Sequence, residues 1–370
     1  MNAGTKTDAA PQAAATTPLE LEKEHKLPTA VFAIAPTPDG KRVFAACFDG
    51  SVLEIDADSG KAAPIGKHDN YASGIAWLPQ AGTVISAGYD GALIWHDPVK
   101  RERRRRVQAH RFWSWQMAVS PDERWVASVT GAYRSGGYRY EPAPETEPSV
   151  RIHDARTGEL VHSLAHTPPV LSVAISPDNR HVAAGNMLGE VRIWDLETGR
   201  QLASWTTPGF TSWGIIKSHH YVGGIFSMTF SPDGKSLLLG GMGPMTDPMA
   251  GNGKQHWERF AWQESPPRKI AEITDSERGN GLMESLVFHP KQKHFVLCGR
   301  LAQGKWNTAV FDAASGGLVQ GIDTKMRTTT ARFNADGSRL FLGGAVGQEK
   351  KKDGVSKDFG RLKIYRCALG

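Results

Sequence analysis

The stretch from His166 to Trp205, HTPPVLSVAISPDNRHVAAGNMLGEVRIWDLETGRQLASW, predicts a four-stranded antiparallel sheet. It contains four short alternating runs, LSVAIS, HVAAG, VRIWDL and QLASW. The segments between them, SPDNR, NMLGE and ETGR, have the composition of hairpin turns. A single sheet of this size has two apolar faces and covers neither by itself. The rest of the chain must therefore supply sheets that stack against it.

The corner SPDN at 176–179 has six counterparts along the chain of 370 residues. Close versions are TPDG at 37–40, SPDE at 120–123, SPDG at 231–234 and NADG at 334–337, and weaker ones are LPQAG at 78–82 and HPKQK at 289–293. Their second residues, at 38, 79, 121, 177, 232, 290 and 335, are spaced by 41, 42, 56, 55, 58 and 45 residues. The shorter spacings fall in the range of about 40 to 45 residues that is typical of one propeller blade. The sequence therefore predicts seven blades, which begin near 29, 68, 109, 166, 223, 281 and 327.

Two further landmarks keep the same register. A histidine precedes the proline of the corner by eleven residues in three copies, at His68, His110 and His166. An Asp that ends the third run is followed four residues later by a Gly in four copies: Asp56 and Gly60, Asp154 and Gly158, Asp195 and Gly199, Asp312 and Gly316. A short hairpin with a bulge requires an Asp that bonds to its own turn backbone and a Gly that takes positive φ.

These residues, together with the Ser of the second run and the Trp-Asp pair that closes the third, make the chain resemble the WD40-repeat β-propeller family. The resemblance implies an all-β, seven-bladed β-propeller of four-stranded antiparallel blades. In that family the His, Ser or Thr, Asp and Trp of one blade form a hydrogen-bonded tetrad. Here Leu188 stands at the Asp position of blade 4, and His96 at the Trp position of blade 2. The residues at structural repeat positions are His68, Ser86, Asp90, His96, His110, Ser128, His153, His166, Trp194 and Asp195.

The last copy contains three strand-like runs, TTTARF, RLFLGGA and RLKIYRC. We therefore expect LELEKEHKL at 19–27 to be the missing outer strand of blade 7, so that non-local pairing closes the ring. Residues 1–17 are mainly Ala, Thr and Pro, and we expect them to form a disordered tail before a single propeller domain at 18–370.

Composition restricts the cellular setting. The three cysteines, Cys47, Cys298 and Cys367, share no spacing and indicate neither a disulfide framework nor a zinc site. The first residues have neither a basic start nor a continuous apolar segment, so we expect a cytoplasmic protein with no membrane span.

Four insertions lengthen the repeats, at 131–148, 207–224, 241–257 and 345–360. All lie between the second and third strands of a blade or between two blades, and strand direction places both kinds of connection on one rim. Aromatic and Arg side chains of these loops are the types that anchor protein interfaces, although the same loops could instead pack on each other. The predicted contact residues for a protein or peptide partner are Tyr133, Arg134, Tyr138, Arg139, Tyr140, Phe210, Trp213, His219, His220, Tyr221 and Trp257.

Two alternatives remain open at the level of sequence. The run KRERRRR carries five of the six net positive charges and falls where the outer strand of blade 2 should be. It is either a solvated edge that discourages aggregation or an anion or nucleic-acid site, made of Lys100, Arg101, Arg103, Arg104, Arg105 and Arg106.

The second alternative is a propeller enzyme with an axial metal or a hydrolase site. The chain has no G-x-S-x-G, P-loop, dinucleotide-binding or His-Glu-x-x-His motif. His219, His220 and His256 do not have the spacing of metal ligands. We therefore predict no cofactor, no metal and no catalytic residue, and a protein that acts as a monomer or as a subunit of a larger complex.

Overall fold

A computed structural model describes residues 18–134, 141–142, 147–210, 224–243, 254–274, 276, 282–300, 304–347, 351–352, 355–356 and 359–369. These residues form seven four-stranded antiparallel sheets, which we number as blades 1 to 7. The first strands of neighbouring blades contact each other around a complete ring, including those of blades 7 and 1. The prediction of an all-β, seven-bladed propeller is therefore confirmed. The expected tail at 1–17 lies outside the described residues.

The strands of each blade follow one another outward from the axis. Those of blades 1 to 3 are Val31–Pro36, Arg42–Cys47, Ser51–Asp56 and Ala62–Lys67; Ala72–Leu78, Thr83–Gly88, Ala92–Asp97 and Glu102–Gln108; Gln116–Val119, Trp125–Val129, Val150–Asp154 and Leu160–Leu164. Those of blades 4 and 5 are Val170–Ile175, His181–Asn186, Glu190–Asp195 and Gln201–Thr206; Gly224–Phe230, Leu237–Met242, Gln255–Ala261 and Arg268–Glu272. Those of blades 6 and 7 are Met283–Phe288, His294–Gly299, Thr308–Asp312 and Leu318–Ile322; Arg327–Phe333, Arg339–Ala345, Gly360–Cys367 and Leu19–Leu27. Outside the blades lie the two-residue strands Tyr133–Arg134, Glu141–Pro142, Lys351–Lys352 and Val355–Ser356, and a 3₁₀ helix at Pro208–Phe210.

The turns between third and outer strands have the predicted chemistry in all four copies. In blade 4, Asp195 Oδ1 accepts a hydrogen bond of 2.8 Å from Thr198 N, and Gly199 has φ +69°. The other three aspartates, Asp56, Asp154 and Asp312, each accept a hydrogen bond from the backbone N–H three residues on. The Asp side chain and the Gly backbone together set the length and direction of this hairpin.

The apolar core is divided among the interfaces between blades. The described residues contain seven buried clusters, and each joins two neighbouring blades. The cluster of blades 3 and 4, for example, brings together Trp125, Ile152, Val173 and Trp194. Each sheet therefore buries both of its faces against neighbours, as its alternating sequence requires. The cysteines are free thiols, and burial raises the pKa of Cys47 to about 12.

The strand Leu19–Leu27 closes the ring, as the sequence predicts. It pairs antiparallel with Gly360–Cys367, with Leu19 opposite Cys367 and Leu27 opposite Gly360. Glu22 also accepts hydrogen bonds from Arg339, the shorter of them 2.6 Å from Nη2 to Oε1. Gly360 is required at this junction because a Cβ there would lie 1.8 Å from the Thr29 carbonyl oxygen.

Candidate functional site

The first strands of the seven blades surround a central channel of about 920 Å³. We call the end of the ring that carries the corner motifs the corner rim. The opposite end, which carries the connections between second and third strands and between blades, is the loop rim. All four insertions connect strands at the loop rim, as predicted.

A continuous group of aromatic side chains lies on the loop rim of blades 1 to 3. We call it the rim aromatic cluster, and it consists of Phe32, Phe48, Tyr71, Tyr89, Phe112, Trp113 and Trp115. Phe48 and Tyr71 stack with ring centroids 4.1 Å apart, and Tyr89 and Trp113 stack 4.8 Å apart with an interplanar angle of 8°. Offset and edge-to-face contacts of this kind stabilise aromatic groups beyond the area that they bury.

Local sequence explains how this cluster is positioned. Phe48 and Tyr89 each precede the Asp-Gly of a turn between second and third strands, and Tyr71 immediately precedes the first strand of blade 2. The segment HRFWSW at 110–115 connects blades 2 and 3. The three blades are neighbours in the ring, so these short connections meet above the same interfaces.

Hydrogen bonds between side chains and backbone groups hold the segment of Trp113 in place. The carboxylate of Glu147 accepts a hydrogen bond of 2.8 Å from Arg111 N, and the hydroxyl of Thr130 donates one of 2.8 Å to the Trp113 carbonyl. The indole Nε1 of Trp115 donates to the Gly131 carbonyl at 2.9 Å. The aromatic rings are therefore presented by a fixed backbone, which reduces the entropy lost when a partner binds.

The cluster is partly open to solvent and has a polar border. Trp113 is 39% exposed, and the other six rings are partly buried. Phe32, Tyr89 and Trp115 line the channel together with Arg327 and Glu284. The guanidinium of Arg327 holds both oxygens of the Glu284 carboxylate, with Nε 2.7 Å from Oε2. Burial raises the pKa of Tyr89 to about 12, so its hydroxyl remains a hydrogen-bond donor at neutral pH.

The structure does not describe most of the contact residues predicted from sequence. Tyr138, Arg139, Tyr140, Trp213, His219, His220 and Tyr221 lie outside the described residues. Tyr133 and Arg134 form a two-residue strand paired with Glu141–Pro142, and their side chains are not described.

Phe210 and Trp257 require a correction, because both are core residues. Phe210 is fully buried, with its ring 4.8 Å from that of His256. Trp257 is 1% exposed and packs edge-on against Phe295 and Phe311. The third strand of blade 5 begins at Gln255, inside the predicted insertion, so Trp257 is a strand residue that faces the core. Neither side chain can anchor a partner on the surface.

The basic run forms the predicted outer strand of blade 2, and several of its side chains are already engaged. Arg104 Nη2 lies 2.5 Å from Asp97 Oδ2, and its Nη1 donates to the Thr83 hydroxyl. Arg105 Nη1 donates to the Arg156 carbonyl at 2.7 Å. Arg106 Nη1 donates to Gln108 at 2.9 Å, and Lys100 Nζ lies 3.8 Å from Glu102. Arg101 and Arg103 are exposed and form no salt bridge with any described residue.

Blade 2 contains the complete tetrad in which His96 replaces Trp. His68 Nδ1 donates to Asp90 Oδ1 at 2.9 Å, and the Ser86 hydroxyl donates to His68 Nε2 at 2.8 Å. His96 Nε2 donates to the same hydroxyl oxygen at 2.8 Å. This assignment of protons satisfies all three hydrogen bonds, and the Nε2–H of His96 acts as the indole N–H of a Trp would.

Other blades keep part of this arrangement. His110 Nε2 lies 2.8 Å from the Ser128 hydroxyl in blade 3, where His153 is also buried. In blade 4, Ala184 stands at the Ser position, and its carbonyl accepts a hydrogen bond of 3.3 Å from His166. Trp194 packs with its ring centroid 6.0 Å from that of His166, and Asp195 holds the following turn.

The order Asp90, His68, Ser86 resembles the acid, base and hydroxyl of a hydrolase, but its position excludes that use. The Ser86 side chain is fully buried, and its oxygen lies between two imidazoles. Nucleophilic catalysis requires a hydroxyl that a substrate carbonyl can approach. The chain of hydrogen bonds is therefore structural.

One further group of ionisable side chains lies on blade 5. Glu258 Oε1 is 3.2 Å from His256 Nε2 and 3.3 Å from Lys269 Nζ, and the same ammonium lies 2.7 Å from Glu272. A metal ion at His256, Glu258 and Glu272 would have to displace Lys269. The group is thus an ion-pair network whose positive charge comes from the chain itself.

The described part of the chain has no helix long and apolar enough to span a bilayer.

Sequence reasoning missed the rim aromatic cluster. The signal was present as Phe48 and Tyr89 at the same position of successive turns, and as the aromatic-rich HRFWSW segment. These short connections contain no insertion, so loop length gives no signal for them.

Comparison with known proteins supports the same architecture. A family model described as "WD domain, G-beta repeat" matches residues 158–195, which include the outer strand of blade 3 and three strands of blade 4. The Drosophila melanogaster protein named "Protein groucho" is 26% identical over 178 residues, which are 47% of this chain and 20% of that protein. The match thus spans about a fifth of that relative's length. The ring of seven blades, the tetrad in blade 2 and these two matches support a WD40-repeat β-propeller.

Proposed function

We propose that the protein is a non-catalytic scaffold that binds a protein or peptide partner on its loop rim. The observation that carries this proposal is the rim aromatic cluster, which joins seven partly exposed rings from three blades into one surface. Large aromatic side chains contribute most of the binding energy at many interfaces because they bury about 150 to 250 Å² each with few rotatable bonds.

The border of the cluster supports recognition of a polar chain. The Tyr89 hydroxyl is a protonated donor, and the Arg327 and Glu284 side chains lie at the adjacent channel mouth. A bound peptide could place apolar side chains on the rings and satisfy its backbone groups at this border. The insertions on the same rim provide additional contact area.

The test is partner recovery with single-residue variants. Trp113→Ala removes the most exposed ring, and Leu202→Ala is the matched control because Leu202 is 37% exposed on the outer strand of blade 4. Affinity purification followed by mass spectrometry should recover a partner with the wild type and with Leu202→Ala. We expect Trp113→Ala to weaken binding of that partner by about 30-fold or more, as for an interface hot spot.

Equal recovery by the wild type and Trp113→Ala would exclude the rim aromatic cluster as the docking surface. Variants shortened at 131–148 and at 207–224 then show whether the insertions bind instead. Loss of the partner with Leu202→Ala alone would move the interface to the outer edge.

The basic strand is a less favoured alternative. Neutralisation of about five phosphates would give a slope of roughly −4 to −5 in a plot of log affinity against log salt. Because only Arg101 and Arg103 are outside salt bridges and hydrogen bonds to described residues, we expect a slope nearer about −2 if nucleic acid binds at all.

A further inference from the structure

Arg332 lies in the wall of the central channel, at a height where the other blades contribute small, uncharged side chains. In each blade, the first-strand residue at this height lies three positions before the second residue of the corner motif. The seven residues of this ring are Ala35, Ala76, Ala118, Ala174, Thr229, Val287 and Arg332, and all of them line the channel. Arg332 is thus the only charged member of the ring.

The Arg332 side chain is exposed in the channel. Ala331 is fully buried in the core between blades 6 and 7, whereas Arg332, the next residue, is exposed and lines the channel. Arg332 Nη1 donates a hydrogen bond of 2.8 Å to the Ala331 carbonyl. It forms no salt bridge with any described residue, and at least three guanidinium N–H groups remain available.

The carboxylates among the channel-lining residues are already used. Glu284 is held by Arg327 near the loop rim. Glu123, near the corner rim, accepts hydrogen bonds of 2.9 Å from Gln80 N and 3.0 Å from Ala81 N. Neither acid is the counter-ion of Arg332, so no carboxylate among the described channel-lining residues compensates its positive charge.

The surroundings favour an anion with an apolar body. Apolar residues of the channel lining include Met117, Leu171, Val173, Met228 and Leu286. The guanidinium is exposed to the interior of the channel, where the surrounding protein replaces part of its bulk solvation. This desolvation lowers the pKa of Arg332. Arginine nevertheless stays protonated in proteins, and the channel volume of about 920 Å³ is in the range of small-molecule sites.

We propose that the central channel binds a small monocarboxylate with an apolar body, whose carboxylate pairs with the guanidinium of Arg332. One carboxylate matches the single free charge and accepts two parallel N–H hydrogen bonds from it. This site is inside the ring, so it does not depend on the proposed docking of a partner on the rim.

The test uses 4-phenylbutyrate as the probe and 4-phenylbutyramide as its neutral counterpart, with binding measured by ligand-observed NMR and calorimetry. Arg332→Ala is the main variant, and it should fold because alanine occupies the same position in four other blades. Arg103→Ala is the matched control, since it removes an exposed Arg from the outside of the ring. Far-UV circular dichroism and thermal unfolding check that all variants are folded.

We expect the wild type and Arg103→Ala to bind the carboxylate equally, and Arg332→Ala to bind it on the order of 10- to 100-fold more weakly. The amide should bind the wild type with a similar loss, and Arg332→Lys should retain part of the affinity. The proposal is overturned if the probe does not bind the wild type at millimolar concentration, if Arg332→Ala binds it equally well, or if the amide binds as tightly as the acid.

Discussion

Replacing Leu27 with alanine tests how strongly the strand Leu19–Leu27 holds the ring closed. The Leu27 side chain is 1% exposed and belongs to the cluster that joins blades 7 and 1, with Val31, Phe341 and Leu362. A Leu→Ala change at a fully buried site lowers the free energy of unfolding by about 2 to 5 kcal/mol. We expect Leu27→Ala to fall within this range, because strands of two blades enclose the site and limit its collapse around the cavity.

The same strand offers a matched control. Leu21 is 47% exposed, and Leu21→Ala should change the free energy of unfolding by less than about 0.5 kcal/mol. Urea unfolding followed by far-UV circular dichroism measures both values. Equal effects of the two substitutions would show that Leu27 does not support the interface, and the account of ring closure would be wrong.

Deletion of the whole strand extends this test. Removing residues 1–27 should sharply lower the melting temperature, since it takes away the outer strand of blade 7 and the contacts of Glu22 with Arg339. Removing residues 1–17 alone leaves every described strand intact and serves as the control. An unchanged melting temperature after deletion of 1–27 would contradict closure by this strand.

Two further predictions concern buried and exposed charges. Burial lowers the pKa of four blade histidines from 6.5 to about 3 or 4: His96, His110, His153 and His166. These histidines bind protons near pH 6.5 in the unfolded chain but stay neutral in the folded protein. The free energy of unfolding should therefore fall as pH is lowered from 6.5 toward 4, by about 1.4 kcal/mol per pH unit for each histidine. Urea unfolding across this pH range checks it, and a stability that does not change with pH would refute it. In the outer strand of blade 2, Arg104→Ala should lower the free energy of unfolding by about 1 kcal/mol, because Asp97 is 6% exposed and loses its guanidinium partner. The control Arg103→Ala should leave the free energy of unfolding unchanged. Equal thermal stability of the two variants would contradict this prediction.

The repeat architecture was accessible from the sequence because its signals are local. The corner at 176–179 and its counterparts mark one hairpin in every blade, and Asp195 with Gly199 marks another. The tetrad of blade 2 was implied by the family resemblance, which matched His68, Ser86 and Asp90 to its positions. Ring closure followed from counting strands in the last copy.

The candidate site was not accessible in the same way, because its parts are distant in sequence. Phe32 and Trp115 belong to different blades, and only the curvature of the ring brings their connections to one surface. The predicted insertion at 241–257 extends into strand Gln255–Ala261, so Trp257 is a strand residue and not a loop residue. Alignment of the corner motifs places Arg332 at the same position as four alanines, so the sequence contains a signal for it. Only the structure shows that these positions line the channel.

The pairing of Leu19–Leu27 with Gly360–Cys367 has a consequence for biosynthesis. Glu22 and Arg339, which meet at this seam, are 317 residues apart along the chain. The ribosome therefore makes the strand Leu19–Leu27 long before it makes Gly360–Cys367, and blade 7 cannot be completed until translation has passed Cys367. During that interval the nascent protein carries an unmatched edge that chaperones are suited to shield, so the yield of active protein should depend on them more than its final stability suggests.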